Sequence, residues 1–144
     1  MELEEIKIAR LTEAEFVAVR FYTSPSFWRI NGPLRRGETH PWPMVVYFLS
    51  QGIKKLRGVQ AQVNPERFAA ETTLWRGMKD LELDIGEFKT FGGTELAPMS
   101  TTTCEDVAKH YAQSKVPLVF KYKVSGLNAG VCIQFLSLYP KELV

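Results

Sequence analysis

The chain has 144 residues, 45% of them hydrophobic and 24% charged, which suits one globular domain able to bury a core. No low-complexity run or internal repeat interrupts it, so fibrous and repeat architectures are excluded. Lys and Arg number 18 against 16 Asp and Glu, a net charge of +2, too weak a bias to imply a nucleic-acid partner.

The start, Met1-Glu2-Leu3-Glu4-Glu5, is acidic and lacks the basic-then-apolar order of a signal peptide. The longest apolar stretch, Met44 to Leu49, falls far short of the roughly 20 residues that span a membrane. A cytoplasmic, intracellular location without membrane association is the expectation. Thr12-Glu13-Ala14-Glu15 fits a capping box and opens a helix with Phe16, Val17 and Val19 on its apolar stripe. Ser24-Pro25 breaks it. Phe27, Trp28 and Ile30 form a short apolar cluster before Asn31-Gly32-Pro33, which is expected to end any helix there. Pro43 suits the first position of a second helix, in which Met44, Val45, Phe48, Leu49, Ile53 and Leu56 recur at helical spacing. Lys54, Lys55 and Arg57 are expected near its C-terminal end, where cations suit the dipole.

The period then changes. Thr73-Leu74-Trp75 reads as a strand ending at Arg76-Gly77, and Phe88 to Phe91 as another closed by Gly92-Gly93. Leu96 to Thr102 reads as a strand giving way to a short helix near Glu105 that reaches about Gln113. Pro117 to Val124 alternates, with Leu118, Phe120, Tyr122 and Val124 on one face. Val131 to Leu138 is a nearly continuous apolar run suited to a central strand, which needs a neighbour on each edge. Since the chain stops four residues after Pro140, the expectation is that further strands belong with it. Helices first and strands after predict a single α+β domain, helical over residues 1–70 and β-rich over 71–144.

Several residues are suited to chemistry. Arg76, at a strand end, has a planar fork that grips a phosphate or carboxylate, and Gly77 beside it admits a ligand to the backbone. A surface arginine paired with a nearby carboxylate is the structural alternative. Ser100-Thr101-Thr102-Thr103 leads into Glu105-Asp106-Val107-Ala108 and offers hydroxyls beside free backbone N–H groups, unless Thr102 or Thr103 simply caps the helix. Glu142 follows Pro140-Lys141 just beyond the apolar run, where an exposed loop glutamate is equally natural. Asn31 and Arg35 fall in what reads as a turn between helices. His40 and His110 lack any triad or ligand pattern and are taken as structural. Cys104 and Cys132, at a helix start and in a buried strand, lie outside any CxxC or Cys/His cluster, so reduced core thiols and no metal are expected.

In order and spacing these elements resemble the arginine-specific mono-ADP-ribosyltransferases, whose pattern is an Arg, a Ser-Thr-Ser strand and a Glu-x-Glu turn. Leu74-Trp75-Arg76-Gly77 is similar to the first, and Phe91 through Ser100-Thr101-Thr102, with Val107-Ala108 behind, to the second. Leu136-Ser137-Leu138-Tyr139-Pro140-Lys141-Glu142 is similar to the approach to the third. Tyr22-Thr23 and Asn31, Leu34 and Arg35 match the helical part that precedes them. The resemblance runs over residues 12–144 and departs at two places. Thr102 replaces the second Ser, keeping a hydroxyl, and Val144 stands where the family has its second, catalytic Glu.

The resemblance implies N-terminal helices packed on an antiparallel split β-sandwich, short of its last strands. It implies NAD as substrate, a protein arginine as acceptor and release of nicotinamide. By the same mapping Arg35 and Arg76 hold NAD phosphates, the backbone of Gly77 meets the carboxamide, and Ser100 lines the nicotinamide ribose and positions the glutamate. Thr102 completes the hydroxyl strand, and Glu142 orients and helps deprotonate the acceptor guanidinium. Two other readings stand beside this one, the first favoured by Val144 and the second by taking the motifs as accidental. One is an inactive module that binds NAD or a protein partner, and the other is a plain α+β interaction domain that binds no NAD. The sequence carries no signal for oligomeric state.

Overall fold

The computed structural model describes residues 2–139; Glu142 and Val144 lie outside the described residues. Helices α1 (Glu2–Ala9), α2 (Glu13–Tyr22), α3 (Trp28–Arg35), α4 (Pro43–Val63) and α5 (Pro65–Ala69) come first. Strand β1 (Thr72–Met78), helices α6 (Ile85–Phe91) and α7 (Glu105–Ala112) and strand β2 (Leu118–Val124) follow. Two 3-10 turns cover Gly126–Ala129 and Gln134–Leu136. The α+β class therefore holds.

The capping box predicted at Thr12 is present. Its hydroxyl accepts the Glu15 N–H, and the Glu15 carboxylate accepts the Thr12 N–H at 2.7 Å. From there α2 turns Ala18, Val19 and Tyr22 inward, while Val17, expected on the buried stripe, is exposed. Pro43 opens α4 as predicted, and Leu49, Leu56 and Val59 carry its buried face. A Cβ at Gly52 would press on the Val19 side chain, so the bare α-carbon is what lets α2 lie close against α4. The core comprises these side chains with Ile30, Ile133 and Leu136.

Several sequence expectations are corrected. Asn31-Gly32-Pro33 lies inside α3. A proline at this position removes the bond to the Arg29 carbonyl and crowds it with the ring, and Arg29 is an exposed residue near the helix start. Helix α4 runs on to Val63, so Lys54, Lys55 and Arg57 sit mid-helix instead of at its C-terminal end. Phe88 to Phe91 is the second half of α6, whose start is capped where Asp84 Oδ1 accepts the Glu87 N–H at 2.8 Å. Of the stretch from Leu96 to Thr102, only Thr102 bridges to a strand, exchanging N–H···O bonds of 2.8 and 2.9 Å with Trp75. The apolar run from Val131 to Leu138 forms a 3-10 turn that drives Ile133 and Leu136 into the helical core instead of a sheet. Cys132 is consequently exposed, and Cys104 half-buried, both as free thiols.

Among the described residues the sheet has two strands. β1 and β2 run antiparallel, pairing Thr72 with Val124, Arg76 with Phe120 and Gly77 with Val119. Helix α7 packs on β1 through Ala108 and Ala112, both buried. No helix among the described residues is long and apolar enough to cross a membrane.

Candidate functional site

A cavity of about 420 Å³, within the range typical of small-molecule sites, opens between the end of α2, β1, the segment 100–102 and α7. Of the candidate site residues, Arg76, Gly77, Ser100 and Thr102 all line it, as do Tyr22 and Asn31. The Trp75–Thr102 bridge is the cause. It lays the hydroxyl segment alongside β1, so residues far apart in the chain face one space. Arg35 does not line the cavity and joins Arg76 through a shared carboxylate.

That carboxylate is Glu95, which sequence reasoning passed over. Arg35 donates to it through Nε and NH2, both at 3.0 Å, in the bidentate geometry that suits a guanidinium best. Arg76 NH2 donates to the same Glu95 Oε2 at 3.3 Å. Arg76 also donates through NH1 to the Ser100 carbonyl at 3.1 Å and through Nε to Met78 Sδ at 3.0 Å. Burial presses the Arg76 pKa down and the nearby Glu95 charge offsets part of that; a guanidinium stays protonated regardless. Burial alone would push the Glu95 carboxyl up. The Arg35 hydrogen bonds, the Ala97 N–H and the charges of both arginines outweigh it and hold Glu95 below the ordinary carboxylate value.

Around the Ser100 hydroxyl, hydrogen-bond directions follow by elimination. The Pro98 carbonyl accepts the Tyr22 hydroxyl proton at 2.9 Å, so Tyr22 Oη must accept the Ser100 Oγ proton at 3.1 Å. The Ser100 oxygen therefore keeps its lone pairs free for a ligand donor. Asn31 Nδ2 lies 3.4 Å from the Pro98 carbonyl and 3.5 Å from Tyr22 Oη, which fixes its amide orientation. Its Oδ1 is buried without a hydrogen-bond partner among the described residues. Tyr22 was legible as a motif residue; its link to Ser100 was not.

The Thr102 hydroxyl accepts the Cys104 N–H at 3.1 Å, so it fastens the turn into α7 as well as lining the cavity. Gly77 has a steric role. A Cβ there would run into the Ala108 carbonyl and the Ala112 nitrogen of α7, so the side of Gly77 that lacks a side chain faces the helix. Residues 137–139 close one edge, tethered where Leu138 N–H donates to Thr23 Oγ1 at 3.1 Å. His40 is held in the fold. Its Nδ1 accepts the Trp42 N–H at 2.9 Å, leaving Nε2 as the donor to the Ile30 carbonyl at 3.0 Å. Among the described residues, no group of three or more His, Cys, Asp and Glu is placed to hold a metal ion.

No family model and no curated protein matches this sequence. In three dimensions the chain is similar to an ADP-ribosyltransferase from Clostridium botulinum, solved in a triclinic form, with a TM-score of 0.62. The match covers 97% of this chain and 76% of that one at 20% identity. The likeness establishes the fold: the helices and strands of this chain follow those of an ADP-ribosyltransferase.

Proposed function

We propose that this chain is a single-domain NAD-dependent mono-ADP-ribosyltransferase that moves ADP-ribose from NAD to a protein arginine and releases nicotinamide. The observation that carries the reading is the convergence of Arg76, Gly77 and Ser100 on one cavity in a chain with an ADP-ribosyltransferase fold. Residues 1–70 would supply the helical support and residues 71–144 the NAD-binding side of a split β-sandwich.

Arg76 and Arg35 hold the phosphates, and a planar fork suits that work. The backbone of Gly77 meets the carboxamide. Ser100 offers its free oxygen to the nicotinamide ribose, and Thr102 completes the hydroxyl wall. Breaking the nicotinamide–ribose bond leaves positive charge on the ribose ring in the transition state, which a carboxylate beside the ring stabilises. Glu142 is assigned to the acceptor guanidinium, as the resemblance implies. Losing one preorganised electrostatic group costs about 10²–10³ in rate, so Val144 at the second glutamate position makes slow turnover the expectation for this chain.

The test is nicotinamide release from NAD by the purified chain and by Arg76→Ala, each with and without agmatine, a small guanidine. Release that rises with agmatine and is lost in the variant supports the arginine-directed transferase. NAD binding without release supports the inactive module, and absence of NAD binding overturns both.

A further inference from the structure

Glu95 stands where the helical layer and the sheet meet. Its Oε1 accepts from Arg35 Nε at 3.0 Å and from the Ala97 N–H at 3.1 Å. Its Oε2 accepts from Arg35 NH2 at 3.0 Å and Arg76 NH2 at 3.3 Å. The two arginines are not held alike. Arg76 has a side chain only 11% exposed and two further partners in Ser100 and Met78. Arg35 is 38% exposed, and its side-chain hydrogen bonds among the described residues all go to Glu95.

Two like charges side by side repel, and the more exposed one is free to leave. Without the carboxylate, Arg76 stays where β1 and the Ser100 carbonyl hold it, while Arg35 at the end of α3 turns toward water. With it, both NH2 groups converge on one oxygen, close enough for a single diphosphate to reach both. The trio keeps one excess positive charge. Each guanidinium has five N–H donors, so each retains some for a ligand after these bonds are made. The carboxylate is itself neutralised by its arginines, so its repulsion of an arriving anion is small beside the ordering it imposes.

We propose that Glu95 is a positioning residue of the dinucleotide site, acting through Arg35 to hold that guanidinium beside Arg76 for the substrate diphosphate. The inference rests on the NAD reading above and deepens it.

The test is calorimetric titration of NAD into the unaltered chain, Glu95→Gln, Arg35→Ala and the double variant. Gln keeps the size of the side chain but removes the negative charge and replaces one of the two accepting oxygens with an NH2 group, so it cannot accept from Arg35 Nε and from both NH2 groups at once. The expected result is that either single change weakens NAD binding about tenfold, and that the double variant is no weaker than Arg35→Ala alone. Nicotinamide by itself, which carries no phosphate, binds all four proteins alike. The proposal is overturned if Glu95→Gln binds NAD as tightly as the parent or tighter. It is equally overturned if the two losses multiply, because Glu95 then acts independently of Arg35. A matching loss for nicotinamide would show a collapsed cavity and overturn it too. Failure of the unaltered chain to bind NAD saturably overturns the NAD reading first and this proposal with it.

Discussion

Gly77→Ala separates two explanations for a glycine beside the candidate arginine. If the residue is bare so that a ligand can approach, the substitution weakens NAD binding and leaves the free protein's stability unchanged. The structure argues otherwise, since the added Cβ meets the Ala108 carbonyl and the Ala112 nitrogen. Both are helix backbone and cannot swing aside as a side-chain end can. Ala108 and Ala112 are each only 1% exposed, so α7 is seated on β1 with no slack and must move bodily. Overpacking of this kind costs about 1–3 kcal/mol, and a rigid obstacle argues for the upper end. For a chain of this size each kcal/mol lowers Tm by roughly 2–4 °C, so a drop on the order of 10 °C is expected. Thermal unfolding of the ligand-free protein, followed by far-UV circular dichroism, reads it. A Tm within about 2 °C of the parent would refute the seating of α7 on β1. Because Val107, Ala108 and Tyr111 line the cavity, NAD binding should weaken along with stability.

Two further outcomes test the helical layer. Burial alone pushes the Glu15 carboxyl up, but the Lys55 ammonium at 2.7 Å and the hydrogen bonds from Thr12 outweigh it and hold the carboxyl below its ordinary value. A carboxyl lowered on folding stabilises above its unfolded value and loses that contribution as pH falls through the folded one. Glu15→Gln keeps an oxygen for the Thr12 N–H but loses the charge that faces Lys55. It should therefore destabilise at pH 7 by about 1 kcal/mol, Lys55 being partly exposed, with the gap closing on acidification below the ordinary carboxyl range. Urea unfolding at neutral and acid pH measures it, and a gap that widens toward acid contradicts the pairing. Leu136→Ala should cost about 2–5 kcal/mol by urea unfolding, because Leu136 is 1% exposed within the helical core. A loss under about 0.5 kcal/mol, as at surface sites, would remove that segment from the core.

What could be read along the chain was whatever is decided within a few residues. The Thr12–Glu15 capping box, Pro43 at the head of α4 and the helix after Glu105 formed as expected because their hydrogen bonds close locally; β2 was legible from the alternation of its own side chains, although its ladder bonds run to β1. The Asp84 cap was equally local, and Asp84 followed by Glu87 was a signal for α6 that the apolar run at 88–91 obscured. Pro33 was misjudged because the bond it removes is to the carbonyl of an exposed residue, Arg29, where the loss is small.

The sequence by itself determined the α+β class, the strand that carries Arg76 and the chemical identity of the side chains proposed for the site. Tertiary structure decided which of them meet. Ile133 and Leu136 have the same composition for a sheet or a helical core, and the neighbours available at that place in space chose the core. Tyr22 reaches the Pro98 carbonyl across 76 residues and Arg35 reaches Glu95 across 60. Contacts at such separations leave no periodicity behind, because they depend on how α2, α3 and the loop before Ser100 pack and not on spacing along the chain. Glu95 was silent for that reason: a carboxylate becomes a clamp only when folding brings two guanidinium groups to it.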